Sequence, residues 1–162
     1  MNAPDPTPCP ALKDRFTWYE KLIARGCIIG AVLTGAAAMF LASPILGMGY
    51  LAAVALGGAV VVYDALCVYC PYPYSYSDCL FYPYQLVAQL TSLRSGPIPL
   101  ARKAAAALAF GVIFAVPQYW LWGNWVLFAL FWAFIVPLAV LIPLNLCRRC
   151  RHQRCPMNRA AI

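Results

Sequence analysis

Two long stretches of the chain, residues 27–63 and 104–147, carry no charged residue. A helix needs about 20 apolar residues to cross the hydrocarbon core of a bilayer, so each stretch is long enough for two crossings. Each stretch also breaks near its middle, at Ser43-Pro44 in the first and at Trp122-Gly123-Asn124 in the second. Because only helices satisfy the backbone inside a bilayer, the pattern predicts four spanning helices, near residues 27–43, 45–65, 104–122 and 125–146.

The basic residues all lie on one side of these predicted spans. The twelve Lys and Arg residues precede the first span, separate the second from the third, or follow the fourth, and the two opposite turns carry none. The positive-inside rule therefore predicts that both termini are cytoplasmic. The expected fold is an all-α integral membrane protein with four transmembrane helices and a Cys-rich cytoplasmic loop and tail, in a bacterial inner (cytoplasmic) membrane.

The charges and apolar runs divide the chain into five segments. They are a cytoplasmic N-terminal arm with an interfacial helix (1–25), spans one and two (26–66), a cytoplasmic loop rich in Cys, Tyr and Pro (67–103), spans three and four (104–146), and a basic Cys-rich cytoplasmic tail (147–162).

The composition narrows the class further. Of the 162 residues, 64% are hydrophobic and 10% are charged, whereas soluble domains have about 25% charged residues. This balance excludes a water-soluble globule. The net charge of +7 is what basic residues beside spans produce, so the lipid bilayer is an expected partner and nucleic acid is not.

Few of the groups that enzymes use for catalysis are present. The single histidine, His152, lies outside the predicted spans, which excludes a haem held by two histidines inside the bundle. Neither a Ser-His-Asp set nor a glycine-rich phosphate loop can be assembled. A non-catalytic or electron-transfer subunit is therefore favoured over a self-sufficient enzyme. Asp64 lies at the end of the second span, where we expect it to pair with Arg102 or Lys103.

The eight cysteines form the most informative pattern in the chain. Six of them follow the second and fourth spans as two Cys-x-x-Cys pairs, each with one further cysteine: Cys67, Cys70 and Cys79, then Cys147, Cys150 and Cys155. Thiols stay reduced in the cytoplasm, which favours metal ligation over structural disulfides. Two such pairs supply the four thiolates that zinc or an iron-sulfur cluster needs. The predicted ligands are the two pairs, with Cys79 and Cys155 as alternatives.

The spacing leaves the identity of this centre open between an iron-sulfur cluster and zinc. Cys-x-x-Cys pairs occur in zinc ribbons, and Cys147, Cys150, His152 and Cys155 would also make a self-contained zinc site. Cys9, Cys70 and Cys155 are each followed by proline, as is the last cysteine of the bacterial ferredoxin motif. A membrane location also suits electron transfer, which favours the iron-sulfur cluster. The predicted function is a membrane anchor or electron-relay subunit of a larger redox complex.

Two other functions fit the same pattern. In one, Cys67 and Cys70 are the redox pair of a membrane thiol-disulfide oxidoreductase, and in the other the chain is a purely structural membrane subunit. The segment 69–84 is rich in Tyr and Pro, which need a surface to rest on. We expect that surface to be the membrane interface or another protein subunit.

Overall fold

The structure, a computed structural model, describes residues 13–149. Its first helix, α1, spans Trp18–Ala42. Thr17 begins it with a capping box: the Thr17 side chain accepts from the Glu20 backbone N–H, and the Glu20 carboxylate accepts from the Thr17 N–H. The interfacial helix expected within residues 1–25 is thus not a separate element. From residue 18 it forms the first turns of the spanning helix, because no proline interrupts residues 18–43.

Helix α2 spans Pro44–Tyr69 and follows α1 after a single extended residue, Ser43. Pro44 suits the first turn of a helix, where its missing N–H is not needed. The helix widens into π-type turns over Ala55–Val62 and tightens into a 3₁₀ turn over Cys67–Tyr69. Both departures from α-helical geometry change the hydrogen-bonding pattern of the backbone carbonyls.

The segment 70–99 contains two short helices, α3 (Tyr72–Ser75) and α4 (Tyr84–Leu90). We call residues 70–99 the capping loop. A left-handed backbone at Gly96, with φ of 117°, turns the chain toward the next helix and requires glycine. The capping loop is therefore folded along much of its length, as its length alone predicts.

The last two long helices are α5 (Leu100–Leu121) and α6 (Trp125–Leu146). Pro117 interrupts the regular hydrogen bonding of α5 between Ala115 and Gln118. Asn124 caps α6 by accepting from two backbone N–H groups of its first turn. A 3₁₀ turn over Cys147–Arg149 ends the described chain.

Helix α1 packs along both α2 and α6, and α2 packs along α5. The buried positions of α1 are mostly small, and this lets neighbouring backbones approach closely. At Gly30, a Cβ would lie 2.7 Å from the ring of Phe134 on α6. At Gly57, a Cβ would lie 3.4 Å from Ala109 on α5.

The four long helices are each long and apolar enough to cross a membrane. Their outer faces expose large apolar side chains, such as Ile45 at 82% and Val126 at 76% exposure. Such faces suit lipid rather than water. We call the end of the bundle that holds residues 13–17, the capping loop and residues 147–149 the loop end. The end with Ser43 and Trp122–Asn124 is the turn end.

Candidate functional site

The capping loop is anchored to the start of α1 by a buried carboxylate, Asp78. Its side chain is 4% exposed and forms an ion pair with Lys21. The same carboxylate accepts from the backbone N–H of Phe16 at 2.6 Å and from that of Cys79 at 2.9 Å. Charge-assisted bonds of this kind are stronger than neutral ones. They fix the loop residues beside Asp78 against the first turns of the bundle.

A second anchor comes from Arg25, one turn further along α1. Its guanidinium donates to the backbone carbonyls of Cys79, Leu80 and Tyr82, each at 3.1 Å. A guanidinium offers five donors in a fixed plane, which suits it to gather several carbonyls of an irregular segment. Residues 79–82 therefore lie across the side of α1.

The beginning and end of the described chain meet at the same place. The Lys13 N–H donates to the Arg149 carbonyl at 2.9 Å. The buried Tyr72 hydroxyl donates to the Lys13 carbonyl at 2.7 Å, and its ring lies 4.9 Å from that of Phe16. These contacts join the capping loop to both ends of the described chain.

Three of the predicted ligands lie in the region where α2 enters the capping loop. Cys67 and Cys79 are buried, and Cys70 is half-buried. Burial raises the pKa of the Tyr82 hydroxyl to about 12, and the neighbouring Cys67 and Cys79 thiols act in the same direction. Burial also raises the pKa of Tyr74, again with contributions from Cys67 and Cys70. The cysteines thus share one electrostatic neighbourhood with these two tyrosines.

Hydrogen bonds hold the tyrosines of this neighbourhood in place. Tyr82 donates to the carbonyl of Gly58 at 2.8 Å, within the widened turns of α2. Thr91 joins the hydroxyls of Tyr74, at 2.6 Å, and Tyr63, at 3.4 Å. Tyr63 and Cys67 pack with Val87, against which Tyr74 and Tyr82 also lie. Much of the Tyr-rich segment is therefore occupied by contacts within the chain.

The second cysteine pair begins next to this region. Leu80 packs in one apolar cluster with Ala24, Ile142 and Leu146, and Cys147 lies against that cluster. Because Leu80 follows Cys79 directly, the fold carries the loop cysteines toward the end of α6. Sequence positions 79 and 147 thus belong to adjoining parts of the loop end.

The structure does not complete the predicted metal centre within residues 13–149. No group of three or more His, Cys, Asp or Glu side chains in that range is placed to hold a metal ion. No disulfide joins two cysteines there either. Cys150 and Cys155 lie outside the described residues, so the four-thiolate site stays a prediction that needs a ligand from residues 150–162.

The predicted pairing of Asp64 is confirmed. Its carboxylate lies 3.0 Å from the Arg102 guanidinium and 3.9 Å from that of Arg94. Arg102 also donates to the Asp64 backbone carbonyl at 3.0 Å and lies over the ring of Tyr69. Asp64 is half exposed and lies near the loop end of α2, as expected of a boundary residue rather than an intramembrane relay.

Sequence reasoning missed the residues that anchor the capping loop, Lys21, Arg25 and Asp78. One signal was available, because Asp78 is the only acid between residues 65 and 103 in a chain with five acids. A lone carboxylate in a loop beside basic helix ends is a good candidate for an ion pair. Nothing in the pattern of residues indicates that Arg25 binds three backbone carbonyls.

These features define a class: a bundle of four apolar helices whose loop end is covered by a folded segment rich in Cys and Tyr. No protein-family model matches the sequence, and comparisons with curated proteins and with solved structures found no match.

Proposed function

We propose that this chain is a membrane-embedded subunit of a larger redox complex, with its loop end in the cytoplasm. In this role it anchors the complex or relays electrons, and a cysteine-ligated iron-sulfur cluster or zinc ion lies at the loop end. One observation carries the proposal: three cysteines lie around Tyr74 and Tyr82 where α2 meets the capping loop, and Leu80 belongs to the cluster against which Cys147 packs.

The positions of the basic residues support the proposed orientation. Lys21, Arg25, Arg94 and Arg102 all make their contacts at the loop end. The chain segments that form the turn end, around Ser43 and Gly123, carry no charge. Basic residues collect on the cytoplasmic side of membrane proteins.

The chemistry of the donor set supports a metal centre that the tail completes. Residues 150–162 contain two cysteines and the only histidine, all of them ligands for zinc. Arginines alternate with these donors and would offset the net charge of about −2 that four thiolates leave on a zinc ion or an oxidised cluster. A ligand from this tail would bridge to Cys79 or Cys70, since α6 ends beside Leu80.

Metal content tests this proposal directly. The protein is purified without oxygen, and its iron and zinc are measured together with visible absorbance. We expect bound metal in the wild type, and its loss when Cys147→Ser and Cys150→Ser are combined. Cys27→Ser, at a cysteine inside α1, is the matched control and should keep the metal. Wild-type protein without metal, or a double variant with full metal content, would refute the centre.

Labelling of new cysteines tests the orientation independently. Gly123→Cys places a thiol at the turn end, and Ser95→Cys places one on the exposed surface of the capping loop. We expect an impermeant maleimide to label Gly123→Cys in intact cells above the wild-type level, and Ser95→Cys only after lysis. The reverse result would place the loop end outside the cytoplasm.

The thiol-disulfide alternative has one favourable observation, the position of Cys70. Cys67 is 8% exposed, whereas Cys70 is half-buried at the edge of the capping loop. Cys70 is therefore the thiol better placed to attack a disulfide of a partner, which releases the partner's second sulfur as a thiol. A metal-free protein whose Cys70→Ser variant alone loses mixed-disulfide formation with a disulfide substrate would favour this function over the metal centre.

A further inference from the structure

A groove opens between the start of α1 and the end of α6, at the loop end of the bundle. Its volume is about 280 Å³. Apolar side chains from both helices form its lower part, among them Ile23, Leu138 and Leu141. Ile23 is 48% exposed and Leu141 is 36% exposed, so the groove opens outward toward the surroundings of the bundle.

The upper rim of the groove is polar and carries one uncompensated positive charge. Lys13 and Glu20 both line it, but they form an ion pair, so their charges cancel. Arg149 and Asn145 complete the rim. Within residues 13–149, the Arg149 guanidinium makes no hydrogen bond or ion pair, and its side chain is exposed. A cation above an apolar slot is complementary to an anionic amphiphile.

We propose that this groove binds one anionic glycerophospholipid, with its phosphate at Arg149 and Asn145 and an acyl chain along Ile23 and Leu141. Guanidinium groups match the geometry of phosphate oxygens. Basic pockets between spanning helices on the cytoplasmic side are known to take anionic headgroups. The lower part of the groove is apolar and its rim is charged, just as the acyl chain of such a lipid is apolar and its headgroup is charged.

The bound lipid would join the beginning of α1 to the end of α6. Beside these elements, the Lys13 N–H already donates to the Arg149 carbonyl at 2.9 Å. Lipid binding would therefore stabilise the end of α6, which Cys147 follows directly. The inference does not depend on a metal, because it uses only the groove and its rim.

Native mass spectrometry provides the test. The protein is reconstituted in phosphatidylcholine vesicles that contain a minor fraction of phosphatidylglycerol, then extracted in mild detergent. We expect the wild type to retain one phosphatidylglycerol molecule in preference to phosphatidylcholine. Arg149→Gln removes the charge of the groove and should weaken phosphatidylglycerol binding about fivefold, the effect of one basic contact. Leu141→Trp fills the groove and should also lower the lipid-bound fraction. Inorganic phosphate should not displace the lipid.

The matched control is Arg94→Gln, which removes a half-exposed basic residue at the loop end but outside the groove. It should retain lipid as the wild type does. Equal losses in Arg94→Gln and Arg149→Gln would show general attraction to anionic lipid and overturn the site. Unchanged retention in Leu141→Trp, or no preference for phosphatidylglycerol, would overturn it too. If Leu141→Trp fails to fold by circular dichroism, the two arginine variants decide.

Discussion

Replacement of Asp78 should release the capping loop while leaving the helices intact. In Asp78→Ala, the N–H groups of Phe16 and Cys79 lose their acceptor, and Lys21 loses its counter-ion. Breaking a buried charge pair by removing one partner costs about 3–5 kcal/mol. Lys21 is 29% exposed and can reach water after the change, so we expect the lower figure, about 3 kcal/mol.

The expected effect is local, and hydrogen exchange can measure it. Several amides of α3 and the following turn are hydrogen-bonded within the loop, including those of Ser75, Tyr76 and Asp78. A loss of about 3 kcal/mol raises the population of the open loop about 100-fold or slightly more, since 1.4 kcal/mol is tenfold. Exchange in residues 72–82 should accelerate by that factor, while residues 28–41 of α1 should be unaffected.

Asp64→Asn is the matched control for this prediction. Asp64 also pairs with arginines, but it is half exposed, and exposed ion pairs contribute only about 0–1 kcal/mol. Exchange in residues 72–82 should therefore change less than about fivefold in this variant. If Asp78→Ala has no larger effect on that segment than Asp64→Asn, the buried carboxylate is not what anchors the loop.

Two further predictions concern close packing and the tyrosines. Gly30→Ala should destabilise the protein in detergent by about 1–3 kcal/mol through overpacking against Phe134. The control is Gly26→Ala, whose new Cβ has nothing within 4 Å and which should be neutral or up to about 1 kcal/mol stabilising. Equal melting temperatures of the two variants would contradict the packing at Gly30. Tyr82→Phe should cost about 1 kcal/mol because Gly58 loses its donor, while Tyr84→Phe, whose hydroxyl has no partner in residues 13–149, should be silent. Because the folded-state pKa of Tyr82 is raised to about 12, the contribution of Tyr82 to folding stability is complete below pH 10 and disappears as the pH rises toward 12. A Tyr82→Phe variant that loses loop protection at alkaline pH just as the wild type does would refute this.

The four spanning helices follow from the sequence because their signal is simple. Long uncharged runs broken by proline or a Gly-Asn turn predict their number and their approximate bounds. The largest difference lies at the start of α1, where the helix begins at Trp18 instead of near residue 27. A capping box at Thr17 is readable from sequence, but the charges of residues 20–25 made this region resemble a separate surface helix.

The contacts of the capping loop could not be predicted in the same way. Arg25 binds carbonyls, and every residue has a carbonyl, so the sequence carries no sign of the partner. Tyr82 similarly donates to the backbone carbonyl of Gly58, within the widened turns of α2. The cysteine pairs were readable as a pattern, but their placement depends on these backbone contacts. The Tyr-rich segment was expected to need a surface, and the bundle itself supplies much of it.

The capping loop also adds contacts between helices that the hydrophobic effect does not supply in lipid. Lipid chains are as apolar as the helix faces, so the hydrophobic effect does not drive helices together there. Helix α1 meets its neighbours through small residues, and polar anchors at the loop end add contacts that lipid cannot replace. Asp78 and Arg25 tie the segment after α2 to α1, and Leu80 ties it to α6. The contacts that tie the capping loop to α1 and α6 are therefore the same contacts that bring Cys79 toward Cys147, so a change that frees the loop should also alter the placement of these two cysteines.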